Sequence, residues 1–151
     1  MRKGMPIGNC NKQVVGNAGL FLVCHRLSLE GWNVLPASRN AKGIDIVAYD
    51  DETETKFATV QVKTLTKRKP VKVGKGKNLF ADFLVVVVLE PTSKCSPEQN
   101  SDKVRPICYV LAKNEVTTRE YENEFWLQPG TYEKFQGDWE KITVKIAEEM
   151  T

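Results

Sequence analysis

Gly43-Ile44-Asp45-Ile46-Val47-Ala48 and, a hairpin later, Thr59-Val60-Gln61-Val62-Lys63-Thr64 are the segments that decide how this chain is read. In the first, Ile44, Ile46 and Ala48 alternate with Asp45, Val47 and Tyr49, the period of a half-buried strand over residues 44–49. In the second, a strand over residues 57–65 puts Thr59, Gln61 and Lys63 on one face and Val60 and Val62 on the other. Asp50-Asp51-Glu52-Thr53-Glu54 between them is an acidic hairpin turn, without the glycine and spacing of a calcium loop. Two adjacent antiparallel strands then bring Asp45 close to Gln61 and Lys63 near a strand end. A carboxylate, an amide oxygen and the Val62 carbonyl form a sparse oxygen set that suits a hard cation keeping most of its waters. Lys63 beside it can orient a metal-bound water or stabilise charge as that water attacks a phosphodiester. As a neutral base it would need its pKa lowered by burial and by the cation. The same residue pattern also arises on any strand with one polar face, so the order of the surrounding elements carries the weight.

Working outward, residues 11–30 read as a helix. Val14, Val15, Ala18, Leu22 and Leu29 are expected on its buried face, with Gly31 as the stop. Apolar residues around the rest of it predict cover on more than one side, and Gly16 and Gly19 would admit a close neighbour. A strand over residues 32–35 ends at Pro36. The unbroken run from Phe83 to Leu89 predicts a central strand buried on both faces. A fifth strand is expected over residues 107–111, weak helix over 113–125, and turns with a short final element beyond, anchored by Trp126, Phe135 and Trp139. Residues 66–78, with Pro70, Gly74 and Gly76, read as a loop, and residues 91–105 as a polar excursion. With 151 residues, no internal repeat and no second core in view, one domain covering 1–151 is expected.

Composition narrows the function classes. Hydrophobic residues make up 41% and charged residues 27%, a globular balance. No apolar run is long enough to span a bilayer, and no apolar stretch follows the basic N-terminus, so the expected location is the cytoplasm. Cys10, Cys24, Cys95 and Cys108 form no C-x-x-C pair and have only His25 to help them, which disfavours a zinc site; Cys24 and Cys108 read as small core residues. A net charge of +3 argues little, but Lys67, Arg68, Lys69, Lys72, Lys75 and Lys77 follow Lys63 without an acidic residue among them. Such a segment suits a polyanion, or is simply a solvated loop. Gly74-Lys75-Gly76-Lys77 lacks the spacing of a phosphate-binding loop. His25 and the three tryptophans read as structural residues.

The order helix, strand, strand with Asp, hairpin, strand with Gln-Val-Lys-Thr, basic segment resembles the PD-(D/E)xK, or restriction-endonuclease-like, superfamily, and within it a group of short prokaryotic domains. The resembling stretches are Gly16-Asn17-Ala18-Gly19, Glu30-Gly31-Trp32-Asn33-Val34, Asn40-Ala41-Lys42-Gly43-Ile44-Asp45-Ile46-Val47-Ala48 and Val60-Gln61-Val62-Lys63-Thr64, with fainter echoes in Asn78-Leu79-Phe80, Val85 to Leu89 and Gly137-Asp138-Trp139. The resemblance implies an α/β fold with a mixed central sheet of about five strands flanked by helices. It also implies Mg²⁺ (or Mn²⁺) held by Asp45, Gln61 and Val62, with Lys63 assisting the water, and a nucleic-acid substrate, DNA before RNA. Dimers are common in that superfamily, so a homodimer is a family expectation. Gln61 stands where Glu is commoner. Many relatives also carry a glutamate after the glycine matching Gly19; here the residue is Leu20, with Asn17 one turn earlier and Glu30 too far along the helix to substitute. Three functions follow: a metal-dependent DNA endonuclease or nuclease subunit, a catalytically inactive nucleic-acid-binding module on the same scaffold, or a protein-interaction domain whose basic segment meets an acidic partner.

Overall fold

The computed structural model describes residues 7, 10–37, 43–52, 56–74, 79–89 and 105–148. In chain order the elements are α1 (Lys12–Leu29), β1 (Asn33–Pro36), β2 (Ile46–Tyr49), β3 (Phe57–Leu65), β4 (Val71–Gly74), β5 (Phe83–Val88), β6 (Ile107–Ala112), β7 (Arg119–Tyr121), β8 (Glu124–Leu127), α2 (Pro129–Tyr132) and α3 (Glu140–Glu148). Short 3₁₀ turns cover Lys113–Glu115 and Glu133–Phe135.

Five strands form one mixed sheet in the order β1-β2-β3-β5-β6. β3 and β5 run parallel, and every other neighbouring pair is antiparallel. β5 sits inside the sheet and is buried along its whole length, as its valine run requires. Two apolar layers share the sheet. On one face, α1 and α3 pack Val15, Val23, Leu27, Ile142 and Ile146 onto Ile46, Ala48, Val60, Val85 and Val87. On the other, Leu84, Val86 and Val88 meet Val71, Leu127 and Tyr132.

Those last residues reveal what the sequence pattern concealed. A second antiparallel sheet, β4-β8-β7, covers the other face. Residues 71–74, expected as loop, pair with β8; residues 119–121, expected as weak helix, form its outer strand. Only Lys113–Glu115 of that segment is helical, as a 3₁₀ turn. β4 and β8 lie about fifty residues apart in sequence, so neither carries a local signal of the pairing.

α1 begins at Asn11, whose side chain accepts the Val14 N–H at 3.0 Å, an N-cap that satisfies one of the free donors of the first turn. Its buried line is Val15, Gly19, Val23 and Leu27. That is rotated from the expected face: Val14 is 44% and Leu29 66% exposed. The reason is Gly19, which rests directly on Thr64 of β3 and fixes which side of an all-round apolar helix lies nearest the sheet. Gly16 has open space beside it and plays no such part. His25, expected to be partly buried, is exposed. Trp139 is buried, while Trp32 and Trp126 are half-buried. Among the described residues no helix is long and apolar enough to cross a membrane.

Candidate functional site

The geometry of the site follows from the parity of β3. Leu65 gives its carbonyl to the Leu89 N–H at 2.8 Å, and Val60 gives its carbonyl to the Asp45 N–H at 2.9 Å. Odd residues of β3 therefore turn their peptide groups toward β5 and even residues toward β2. The side chains divide the same way. Even residues Ala58, Val60 and Val62 belong to the layer beneath α1, and Thr64 touches Gly19. Odd residues face the second sheet, as Leu65 does. Gln61 and Lys63 thus share one face, beside Leu84 and Val86 of β5, and both are half-buried.

β2 pairs with β3 from Ile46, opposite Val60. Asp45 lies one step before that pairing, next to Gln61. Its carboxylate Oδ2 accepts the Val62 N–H at 2.7 Å. This bond lies along the side of β3 that β2 has already left, so the carboxylate caps the Gln61–Val62 peptide. The Val62 carbonyl, by the same parity, faces that side too. Gly43 sets the approach: its φ is +71°, and a Cβ there would sit 3.1 Å from Phe80 Cβ, so the backbone can make this entry only without a side chain.

Asp45, Gln61, Val62 and Lys63 are therefore neighbours. Among the described residues no three His, Cys, Asp or Glu side chains gather as a metal cluster. The carboxylate that the hydrogen bonds place beside Gln61 and Lys63, among the described residues, is that of Asp45. α1 lies over the opposite face of β3. Leu20 packs into the apolar layer there, and Asn17 is exposed.

The basic residues are less uniform than their sequence suggests. Lys67, Arg68, Lys69 and Lys72 are all exposed. Arg68 is paired with Glu133, and Lys72 with Glu124 at 2.5 Å, so part of the positive charge is neutralised within the chain. Lys72 stands on β4 rather than in a loop. Lys75 and Lys77 lie outside the described residues, as do Cys95 and Asn40 to Lys42. A cavity of about 340 Å³ between the start of α1 and the end of β3 is lined by Lys12, Gly16, Thr64, Thr66 and Lys69.

Sequence reasoning missed a polar knot at the opposite end of β3. Asp82 Oδ2 accepts the Thr59 N–H at 2.9 Å and the Thr59 hydroxyl at 3.0 Å, while the Asp82 N–H donates to Thr59 Oγ1 at 2.9 Å. Lys145 of α3 reaches Asp82 Oδ1 at 2.5 Å. Burial alone would raise the Asp82 carboxyl, but the bonds from Lys145 and Thr59 outweigh it and hold the group below its ordinary value. The knot ties α3 to the starts of β3 and β5. Its partners are far apart in sequence, and no short motif announces it.

No family model matches the sequence, and no curated protein matches it. Among solved structures, the chain is similar to a bacterial homing endonuclease, I-Ssp6803I, with a TM-score of 0.57 and 15% identity over 94% of this chain and 99% of that one. At that identity the likeness is one of architecture: this chain is an α/β protein whose fold resembles that of the homing endonuclease.

Proposed function

We propose that the protein is a metal-dependent nuclease of the PD-(D/E)xK type, hydrolysing phosphodiester bonds in DNA, with RNA as the lesser candidate. The observation that carries this reading is the 2.7 Å bond from the Val62 N–H to the Asp45 carboxylate. It holds a carboxylate against the Gln61–Val62 peptide, on the strand whose one face carries both Gln61 and Lys63. Asp45, the Gln61 amide oxygen and the Val62 carbonyl would hold Mg²⁺ or Mn²⁺, which when bound supplies Lewis acidity to a phosphate oxygen and to water. The donor set fits such an ion loosely, because only one donor is charged. Asp45 Oδ2 accepts the Val62 N–H, and its other oxygen would be available to such an ion. Lys63, half-buried on the same face as Gln61, would orient a water and offset charge that develops on the phosphate. The fold likeness supports the reading at the level of architecture.

Nicking of supercoiled DNA with Mn²⁺ tests it. Asp45→Asn and Lys63→Ala should each lower the rate by a factor of about 100 or more, on the scale of losing one electrostatic or acid–base group. Equal nicking by the wild type and Lys63→Ala would refute the assignment.

A second reading has its own support. Leu20 is packed in the apolar layer, and among the described residues no three His, Cys, Asp or Glu side chains gather at the candidate site. A scaffold of this kind that has lost its metal would still bind nucleic acid. Calorimetric titration with Mn²⁺ separates the two: heat that disappears in Asp45→Asn supports the enzyme, and no heat in the wild type supports the binding module.

A further inference from the structure

The second sheet turns one face inward and leaves the other open. Val71 and Leu127 stand opposite each other and are both buried, so Lys72 and Trp126, one step along each strand, project outward. Arg119 stands opposite Trp126 on its other side. One row across the sheet therefore reads Lys72, Trp126, Arg119. Tyr121, two residues on from Arg119 and 66% exposed, extends the same face. A groove of about 570 Å³ runs along it, lined by Lys69, Pro70, Arg119, Tyr121, Trp126 and Gln128. Glu120 borders the groove as well, but strand alternation sends its side chain from the opposite face.

Two features of this face are unexplained by folding. Trp126 Nε1 is buried without a hydrogen-bond partner among the described residues. A tryptophan kept only for packing normally satisfies that N–H, and phenylalanine would fill the place without an orphan donor. Lys69 and Arg119 form no ion pair among the described residues, whereas Lys72 on the same face is neutralised by Glu124. An aromatic floor with unpaired cations at its rim matches a strand whose bases are free to stack and whose phosphates need neutralising. A duplex keeps its bases stacked on each other and offers no ring to Trp126.

We propose that the outward face of β4-β8-β7 binds an unpaired stretch of a nucleic-acid strand, a base stacking on Trp126 and the flanking phosphates meeting Lys69 and Arg119. This rests on the nucleic-acid reading above but uses a different surface and none of the residues assigned to hydrolysis.

The test is fluorescence anisotropy of labelled oligothymidylate and oligouridylate, about twelve nucleotides long, with the full chain and without divalent metal. Trp126→Leu should weaken binding by about tenfold or more, with Trp126→Phe falling between it and the wild type, because a smaller ring without the N–H stacks less well. Arg119→Ala should reduce the slope of log affinity against log salt by about 0.7, the signature of one lost phosphate contact on a single strand. Arg119 is on an exposed edge strand, so this variant tests the idea even where a Trp126 change impairs folding. Unchanged strand binding in Trp126→Leu and Arg119→Ala overturns the inference, and it does so alone if the wild type still nicks DNA. Strand binding through Trp126 without any nicking upholds it and removes the hydrolytic reading instead. A shift of the Trp126 indole N–H resonance with a proline-rich peptide but not with either oligonucleotide also overturns it, in favour of a peptide groove.

Discussion

Replacing Gly19 by alanine is the sharpest single perturbation of this fold, because the space for one methyl group can be measured. A Cβ at Gly19 would lie 1.8 Å from Thr64 Oγ1, 2.7 Å from its Cγ2 and 2.8 Å from its Cβ. Rotating Thr64 can move the first two atoms. It cannot move the third, which is bonded to the β3 backbone and falls about 0.7 Å short of an ordinary carbon contact of about 3.5 Å. Helix and strand must therefore separate, at about 1–3 kcal/mol for an overpacked core position, against a helix-propensity gain of up to about 1 kcal/mol for Gly→Ala. Gly16→Ala supplies the control. It lies in the same helix with nothing within 4 Å of the added carbon, so it should gain most of that propensity and lose nothing. Urea unfolding followed by circular dichroism should show Gly19→Ala less stable than Gly16→Ala by about 1–3 kcal/mol, with little change in slope. Thr64→Ala in the Gly19→Ala background removes the two closest contacts and leaves the Cβ contact, so it should restore part of the loss, a coupling that a double-mutant cycle measures directly. Because Thr64 follows Lys63 on β3, Gly19→Ala should also depress any nicking activity more than Gly16→Ala does. Equal stability of the two alanine variants would refute the close approach of α1 to β3, and with it the parity that places Gln61 and Lys63 on the other face.

Three further outcomes follow from the polar contacts. Asp82 is held below its ordinary value of 3.8 in the folded chain, so it stabilises the fold above that pH and its contribution is lost as pH falls through the lowered value; Asp82→Asn should be destabilised at pH 7 and draw closer to the wild type as the pH falls below 3.8, read by urea unfolding across that range. Burial pushes the Cys108 thiol up to about 11, leaving a thiolate fraction on the order of one in a thousand at pH 8. Iodoacetamide should therefore label Cys108 far more slowly in the folded protein than in urea, and equal rates by mass spectrometry would contradict its burial. Lys141 donates to the Val110 carbonyl and to Glu115, both at 2.7 Å, and pairs with Asp138 at 2.9 Å. Lys141→Met should lower stability by about 1–3 kcal/mol, because it strips partners from a half-buried carboxylate and a strand carbonyl.

The legible and illegible parts of this fold divide by the range over which a residue's environment is decided. β3 was expected over residues 57–65 and spans them, because alternation of Thr59, Gln61 and Lys63 with Val60 and Val62 is a local consequence of the pleat. β5 was legible from its valines for the same reason. The buried side of α1 was not. With apolar residues around the whole helix, periodicity leaves the orientation open, and the choice falls to one contact between Gly19 and Thr64 that joins residues forty-five positions apart. β4, β7 and β8 stayed hidden because each is four residues or fewer and β7 is exposed throughout, so none buries enough side chain to show a pattern alone.

The candidate site inherits the same division. Gln61 and Lys63 share a face by strand period, and Asp45 joins them through a backbone bond to Val62 that any short acidic side chain at that position could make. A ligand from α1 is a different matter. It would have to come from a helix in which Gly19 rests on Thr64 of β3 and Leu20 packs into the apolar layer. Replacing Leu20 by glutamate would bury a charge in that layer at a cost of several kcal/mol unless an ion or a cationic group neutralised it. The absence of acid from that position is thus consistent with how tightly α1 is seated. It directs the question of catalytic competence to Asp45, Gln61 and Lys63 themselves, where a single Mn²⁺ titration of wild type against Asp45→Asn decides it.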